Sequence, residues 1–312
     1  MKIQAKNNKG LEFSFTWLFA VIIGAVILVL AVYAATKVIG SGQAETSTAA
    51  AKEIGVLLNP LETSFEEAGS TSLSLPVETR IYNGCNNFEN FGSQIIQTSQ
   101  KSFGKWSKLS TEVEFQNKYI SSDIYEEGKT FQLFSKPFDF PFKVADVIYL
   151  TSSSKKYCFV NSDNFPDEIK DELTDLRQEN LLLENCPDNA IRVCFGSETG
   201  CEIKVRYASG YVEKNGTRMY FETNTLMYAA VFSDVEIYEC QVKRLMARAE
   251  ELSSIYEKKA VTLSQKECSS NLDMEIFGIL LDNYVDSHDL STLFIKSNEI
   301  KGGNENSLCK LW

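Results

Sequence analysis

A chain of 312 residues has room for one large domain or two ordinary ones, and at 44% hydrophobic and 12% aromatic it is not disordered as a whole. Its formal charge of −11 argues against nucleic acid as a partner, because phosphate binding needs clustered Lys and Arg. The charge is uneven: Lys2, Lys6 and Lys9 give the first ten residues +3 and leave −14 for the rest.

Between Glu12 and Lys37 lie 24 residues without a charge. As a helix they would extend about 36 Å, enough to cross a ~30 Å hydrocarbon core with some tilt. Trp17 and Tyr33 sit near the two ends, where amphipathic rings favour the membrane interface, and the lysines ahead of the span hold the N-terminus inside. The sequence therefore predicts a cytoplasmic basic leader at 1–10 and a single transmembrane helix at 11–39 in the lipid bilayer. The remainder would then lie on the extracytoplasmic side of the cell membrane. A buried core helix competes poorly with this reading because the stretch is apolar on every face. A cleaved secretory signal ending at Val32-Tyr33-Ala34 competes better, although an apolar region of ~7–15 residues is usual for one. Either signal reading exports the same C-terminal part.

Gly40-Ser41-Gly42 breaks the apolar helix, and Ala50, Ile54, Leu57, Leu58 and Leu61 then share one helical face. Residues 40–69 read as a hinge and stalk helix that packs on the outer domain. From Ser70 the pattern turns to β, with TSLSLPVETRIY, SQIIQTSQ, TFQLFS and VADVIYL as strands. Pro137 and Pro141 suit a sheet edge or an inter-strand crossing. A short helix is expected after Pro166, burying Phe165, Ile169, Leu173 and Leu176, and a further β region from Ile191 to about Phe232. Asn215-Gly216-Thr217 is both a glycosylation sequon and an Asn-Gly hairpin turn, and the flanking strand patterns favour the turn. The last third is helical: Tyr238, Val242, Leu245, Ala249, Leu252 and Tyr256 recur at helical spacing, followed by helices near Leu272–Val285 and Leu290–Ile300. The fold class is α+β, one compact ectodomain over 70–312 that is β-rich over 70–232 and helical over 233–312.

All eight cysteines follow the apolar span, which suggests disulfides formed outside the cytoplasm. No CxxC pair occurs and His288 is the only histidine, so a zinc site is not expected. Eight cysteines allow 105 pairings, and the sequence leaves them open apart from one local pair. Cys194 and Cys201 flank a turn-rich FGSETG loop.

Few residues point to chemistry. His288 lies in Asp286-Ser287-His288-Asp289, which reads as a polar loop with Asp289 capping the next helix rather than as a catalytic base. No GxSxG turn, phosphate-binding glycine loop or dinucleotide fingerprint is present. Glu126-Glu127 and Glu250-Glu251 read as solvated faces. Lys243, Arg244 and Arg248, interleaved with Glu239, Glu250 and Glu251, read as a solvent-facing helix of mixed charge. No catalytic residue, metal or cofactor is expected.

The N-terminus carries a resemblance. The basic leader MKIQAKNNKG, ending in Lys9-Gly10 and followed by Leu11 and a long apolar helix, resembles the class III signal of archaeal type IV pilin-like proteins. The resemblance implies cleavage after Gly10, a new N-terminus at Leu11, and packing of residues 11–39 against copies of itself or other pilin-like subunits. Many pilins carry a glutamate five residues after the cut, whereas here Phe15 stands there and Glu12 is second. LLNPLET, FPFKVADVIYL, YCF, YECQVKRLMAR and the final CKLW resemble uncharacterised membrane-anchored proteins of small-genome archaea, which implies a shared domain and says nothing of its activity. The expectation is a pilin-like or pilus-associated surface subunit. The alternative is a monomeric, membrane-anchored binding module of the cell envelope, and an extracytoplasmic hydrolase using carboxylates stands third.

Overall fold

A computed structural model describes residues 19, 21–34, 54, 70–88, 91–160, 164–196 and 199–312. The expected leader and most of the expected stalk lie outside these residues. Residues 21–34 are helical with exposed side chains, and among the described residues no helix is long and apolar enough to cross a membrane.

The chain is α+β. Its first sheet is built from β1 (Ser70–Asn86), β2 (Ser93–Ser102), β3 (Lys105–Trp106), β4 (Val113–Phe115), β5 (Tyr119–Ser121), β6 (Tyr125–Asp139) and β7 (Lys143–Ser152). The strands lie in the order β3-β2-β1-β6-β7-β5, with β4 also on β2, and all pairs are antiparallel except β5 with β7. Pro137 sits in β6 at the point the missing donor allows. Among the described residues, pairing of β6 with β1 reaches Ser70↔Phe134, and beyond it β6 is paired with β7 alone.

The second sheet contains β8 (Tyr157–Val160), β9 (Leu181–Leu182), β10 (Ile191–Phe195), β11 (Ile203–Arg206), β12 (Tyr211–Lys214) and β13 (Thr217–Tyr220), in the order β13-β12-β11-β10-β8-β9. The parallel step from β8 to β9 is made through helix α1 (Asp167–Leu176), which starts after Pro166 and buries Ile169, Leu173 and Leu176. Between β12 and β13 the register Lys214↔Thr217 leaves a two-residue turn, with Asn215 and Gly216 both in the left-handed region (φ 50° and 80°). Asn-Gly supplies that geometry at the least steric cost.

The expected β region to Phe232 ends early. Residues after Tyr220 form helix α2 (Asn224–Phe232), started by the Thr223 hydroxyl, which accepts from the Leu226 N–H. Every residue from Thr225 to Phe232 is buried. The physical reason is position: α2 lies between the two sheets. Phe232 meets Phe134 and Tyr149 on one side and Tyr157 and Phe159 on the other. A helix covered all round shows no amphipathic period, so its apolar run is indistinguishable from a buried strand.

Helix α3 (Val235–Ser264) follows, then α4 (Met274–Asp282) and α5 (Leu290–Asn306). The main core gathers sheet residues such as Phe134, Tyr149 and Val193 with α2 and with Tyr238, Val242 and Leu245 of α3. A second cluster joins Ile81, Ile96, Ile120, Phe131, Leu133, Ile148 and Leu150, and Ile54, 1% exposed, is seated in it. That one described stalk residue thus packs on the first sheet.

All eight cysteines are paired. Cys85–Cys240 ties β1 to α3, Cys158–Cys186 ties β8 to the chain after β9, Cys194–Cys201 closes the loop between β10 and β11, and Cys268–Cys309 ties the end of α3 to the C-terminus.

The basic stripe on α3 is not the solvent-facing surface its charges suggested. Arg244 is 1% exposed. Its guanidinium donates to the carbonyls of Phe91 (2.8 Å), Lys118 (2.8 Å) and Gln116 (2.9 Å) and to Gln241 Oε1 (2.9 Å), over the face of Tyr119. Burial holds its pKa down to about 10. Arg248 donates to the Val144 carbonyl (2.8 Å). Next to Arg244, Gln241 and Gln94 complete the free edge of β5: Ile120 N–H donates to Gln94 Oε1, and Ile120 O accepts from Asn83 and Gln241. A misplaced residue here leaves buried carbonyls unpaired at about 1–3 kcal/mol each. Arg244→Met should therefore lower stability by about 3–5 kcal/mol, whereas Lys243→Ala on the exposed face should change it by under ~0.5 kcal/mol. Urea denaturation midpoints at constant slope measure both, and equal effects would show that Arg244 does not hold the joint.

Candidate functional site

The first sheet, the second sheet and the start of α3 meet around a cleft of about 620 Å³. The chain between β5 and β6 supplies Asp123, β6 supplies Tyr125, Glu126 and Glu127, the β7–β8 turn supplies Ser154 and Lys155, and Asp234 comes from the α2–α3 junction. Its rim also carries the exposed Asn189.

Glu126 and Glu127 are adjacent in a strand and so must face opposite ways. Glu126 turns inward and is 2% exposed. Its carboxylate accepts the Ser152 N–H (2.9 Å) and the Lys155 ammonium (3.0 Å), and Lys155 also pairs with Asp123. Glu127 turns outward and accepts from Arg80 Nε (2.7 Å). Asp234 accepts the Ile124 N–H (2.8 Å), locking the α2–α3 junction onto the entry of β6. A β-carbon at Gly128 would come within 2.7 Å of the Ser152 hydroxyl, which donates to the Glu127 carbonyl (2.6 Å) and meets Ser154 Oγ at 2.8 Å. Glycine at that position keeps the turn closed against β6.

Burial raises the pKa of Glu126, with Lys155 and the Ser152 N–H pulling the other way. For Lys155, burial acts to lower the pKa, but Glu126 and Asp123 together prevail and raise it. Behind the cleft, Lys214 of β12 donates to the Ser233 carbonyl (2.8 Å). Burial, aided by the charge of Lys155, lowers Lys214 to about 8 against the pull of Asp123, Asp234 and Glu126. The floor of the cleft is thus a set of charges that answer one another. Its rim offers hydroxyl, amide, carboxylate and ring surfaces to a visitor.

A second cavity, of about 550 Å³, lies between α3, α4 and the β1–β2 connection, with Asn87, Lys243, Glu250, Glu251 and Tyr284 around Arg244. Glu250 is raised by burial and by the charges of Glu251 and Asp282.

Of the residues singled out in the sequence, Glu126 and Glu127 line the cleft and Lys243, Arg244, Glu250 and Glu251 line the second cavity, whereas the Cys194–Cys201 pair and His288 belong to neither. Lys9, Gly10 and Leu11 lie outside the described residues. Cys194 and Cys201 are joined to each other beside β10. His288 is exposed in a 3₁₀ turn, its ring tilted against that of Tyr220 with centroids 4.0 Å apart. Asp286 accepts the His288 N–H, while Asp289 accepts the Val285 N–H rather than capping α5. Among the described residues no group of three or more metal-binding side chains forms. Glu126, taken from sequence as a solvated face, was the missed residue of the cleft, and strand alternation was the signal that could have found it.

No family model, curated protein or solved structure matches the chain.

Lys214 gives a direct test of the ionic floor. Unfolded, a lysine holds its proton to ~10.4, whereas the folded group releases it near 8. Between these values the unfolded state binds more protons, so this group makes stability rise with pH. Lys214→Met should remove that rise, seen as a smaller gain in urea midpoint from pH 7.5 to 9.5 than the parent shows. Equal gains would place the Lys214 ammonium in solvent.

Proposed function

We propose that the chain is a membrane-anchored surface protein whose disulfide-bonded α+β body works outside the cytoplasm, and that it acts as a pilin-like or pilus-associated subunit. The carrying observation is the complete pairing of eight cysteines, all behind the 24-residue uncharged stretch. Four disulfides persist in an oxidising compartment, and an apolar span ahead of them is the means of reaching it. The exposed Val, Ile and Leu side chains of 21–34 support the same reading, because an apolar surface on every face of a helix needs lipid or neighbouring helices to cover it. The leader with Lys9-Gly10 before Leu11 supplies the pilin-like part. Residues 1–10 would stay in the cytoplasm and 11–39 would cross the bilayer.

A second reading is favoured by the cleft. A monomeric, anchored binding module would use a concave, polar-rimmed space of this size, which falls within the ~300–1,000 Å³ of ordinary ligand sites.

The mass and N-terminal sequence of protein taken from its own membranes, alkylated without reduction, test both readings. A start at Leu11 with no alkylated cysteine is expected. A start at Met1 would reject leader processing in favour of the binding module, and eight alkylated thiols would reject the extracytoplasmic location altogether.

A further inference from the structure

The outer face of the first sheet carries a row of rings that runs into the cleft. Arg80 of β1 lies over the ring of Trp106 at 4.1 Å and that of Tyr125 at 5.3 Å, and Tyr125 in turn packs on Tyr82 with centroids 5.6 Å apart. The register explains the alignment. Arg80 faces Glu127 and Tyr82 faces Tyr125 across the β1–β6 pair, so these side chains share one face. Tyr125 and Glu127 belong to both features: they end the row and line the cleft. Tyr125 is 46% exposed and its neighbour Ile124 49%, so the junction is open to solvent.

We propose that the row and the cleft form one binding surface for a neutral polysaccharide. Aromatic faces carry negative charge density and attract the polarised C–H faces of sugar rings, while the hydroxyls between them need donors and acceptors at the side. Both are present here, with the exposed ring of Tyr125 beside Ser154, Asn189 and the outward oxygens of Glu127, and Trp106 further along the row under Arg80. Neutrality of the ligand follows from the charges. Glu127 is paired with Arg80, and Asp123 and Glu126 with Lys155, while Lys156 donates to the Glu179 carbonyl and Asp234 accepts the Ile124 N–H. An anionic polymer would find no unpaired cationic cluster in the row and would approach a body of net negative charge. A cationic one would have to break the existing pairs. A neutral chain meets neither cost.

This inference rests on the binding reading of the cleft, and its test separates the two. Full-length protein in a sugar-free detergent is titrated with laminarin and mannan as neutral glycans and with alginate as an anionic one, read by gel retardation and tryptophan fluorescence. Retardation by at least one neutral glycan and none by alginate is the expected result. Tyr125→Ala and Trp106→Ala should each weaken binding about tenfold, with unchanged disulfide pairing as the check on folding, and Phe88→Ala, an exposed ring on the β1–β2 connection, should leave it unchanged. Retardation by alginate alone would overturn the neutral glycan and keep a binding surface. Retardation by no polymer, or equal binding by the ring variants, would overturn the proposal and leave the surface-protein reading to stand on its own mass measurement.

Discussion

The guanidinium of Arg244 enters a place that is 1% exposed because four acceptors are waiting for it, three of them backbone carbonyls at Phe91, Gln116 and Lys118. Those carbonyls belong to loops, which could not otherwise be buried without leaving polar groups unpaired. One side chain thereby fastens α3 to the chain on both sides of the β2–β4 region. Gln241, one turn earlier, reaches the free edge of β5, and Cys240 bonds to Cys85 at the end of β1. Arginine suits the position because its planar fork holds several fixed donors, which a lysine point charge would not match. The first sheet, α3 and the loops between them are therefore set by one short stretch, Cys240–Arg244.

The cleft is a consequence of that joint. With α3 fixed, the α2–α3 junction is held where Asp234 meets the Ile124 N–H, and the β7–β8 turn is held where Lys155 meets Asp123 and Glu126. The two sheets share no strand, and the contacts across their seam include these ions, the rings around Phe232, and Gln178 and Asn180, which donate to the Leu133 carbonyl and to Thr151. A buried charge is tolerated only when it is paired and hydrogen-bonded, and Glu126 has both kinds of partner. Lys214, left with one carbonyl acceptor, bears the desolvation cost in its lowered pKa.

Strand alternation and helix period carried most of the architecture. The strands around Arg80, Ile96 and Phe131, the helix after Pro166 and the three C-terminal helices stand where local pattern puts them; β7, buried on both faces from Val147 to Ser152, is legible instead from its short run of β-branched and aromatic residues. Where both faces are covered, the pattern has nothing to report. Helix α2 lies between two sheets and its sequence is apolar throughout, so it reads as a strand. Arg244 sits on a helix with Glu239, Lys243 and Glu250 around it, which is the pattern of a solvated face. Its burial depends on carbonyls more than a hundred residues away, as close as 2.8 Å in space, and no local window contains them. The cleft was hidden for the same reason: Asp123, Lys155 and Asp234 come from three separate connections and acquire meaning only when the sheets meet.

Charge distribution links the body to its surroundings. The chain carries −11 overall, yet the row of Arg80, Trp106, Tyr125 and Glu127 is internally balanced. A strongly acidic body stays soluble and resists like-charged polymers at a distance, with a range near 10 Å at ~0.1 M salt. Within that field, a balanced aromatic patch is where a partner without charge can approach at no electrostatic cost. Specificity of this kind is built as much from what is repelled as from what is held. The same logic bears on self-association. Acidic bodies displayed side by side repel at long range, whereas the exposed apolar side chains of residues 21–34 carry no charge to oppose close approach.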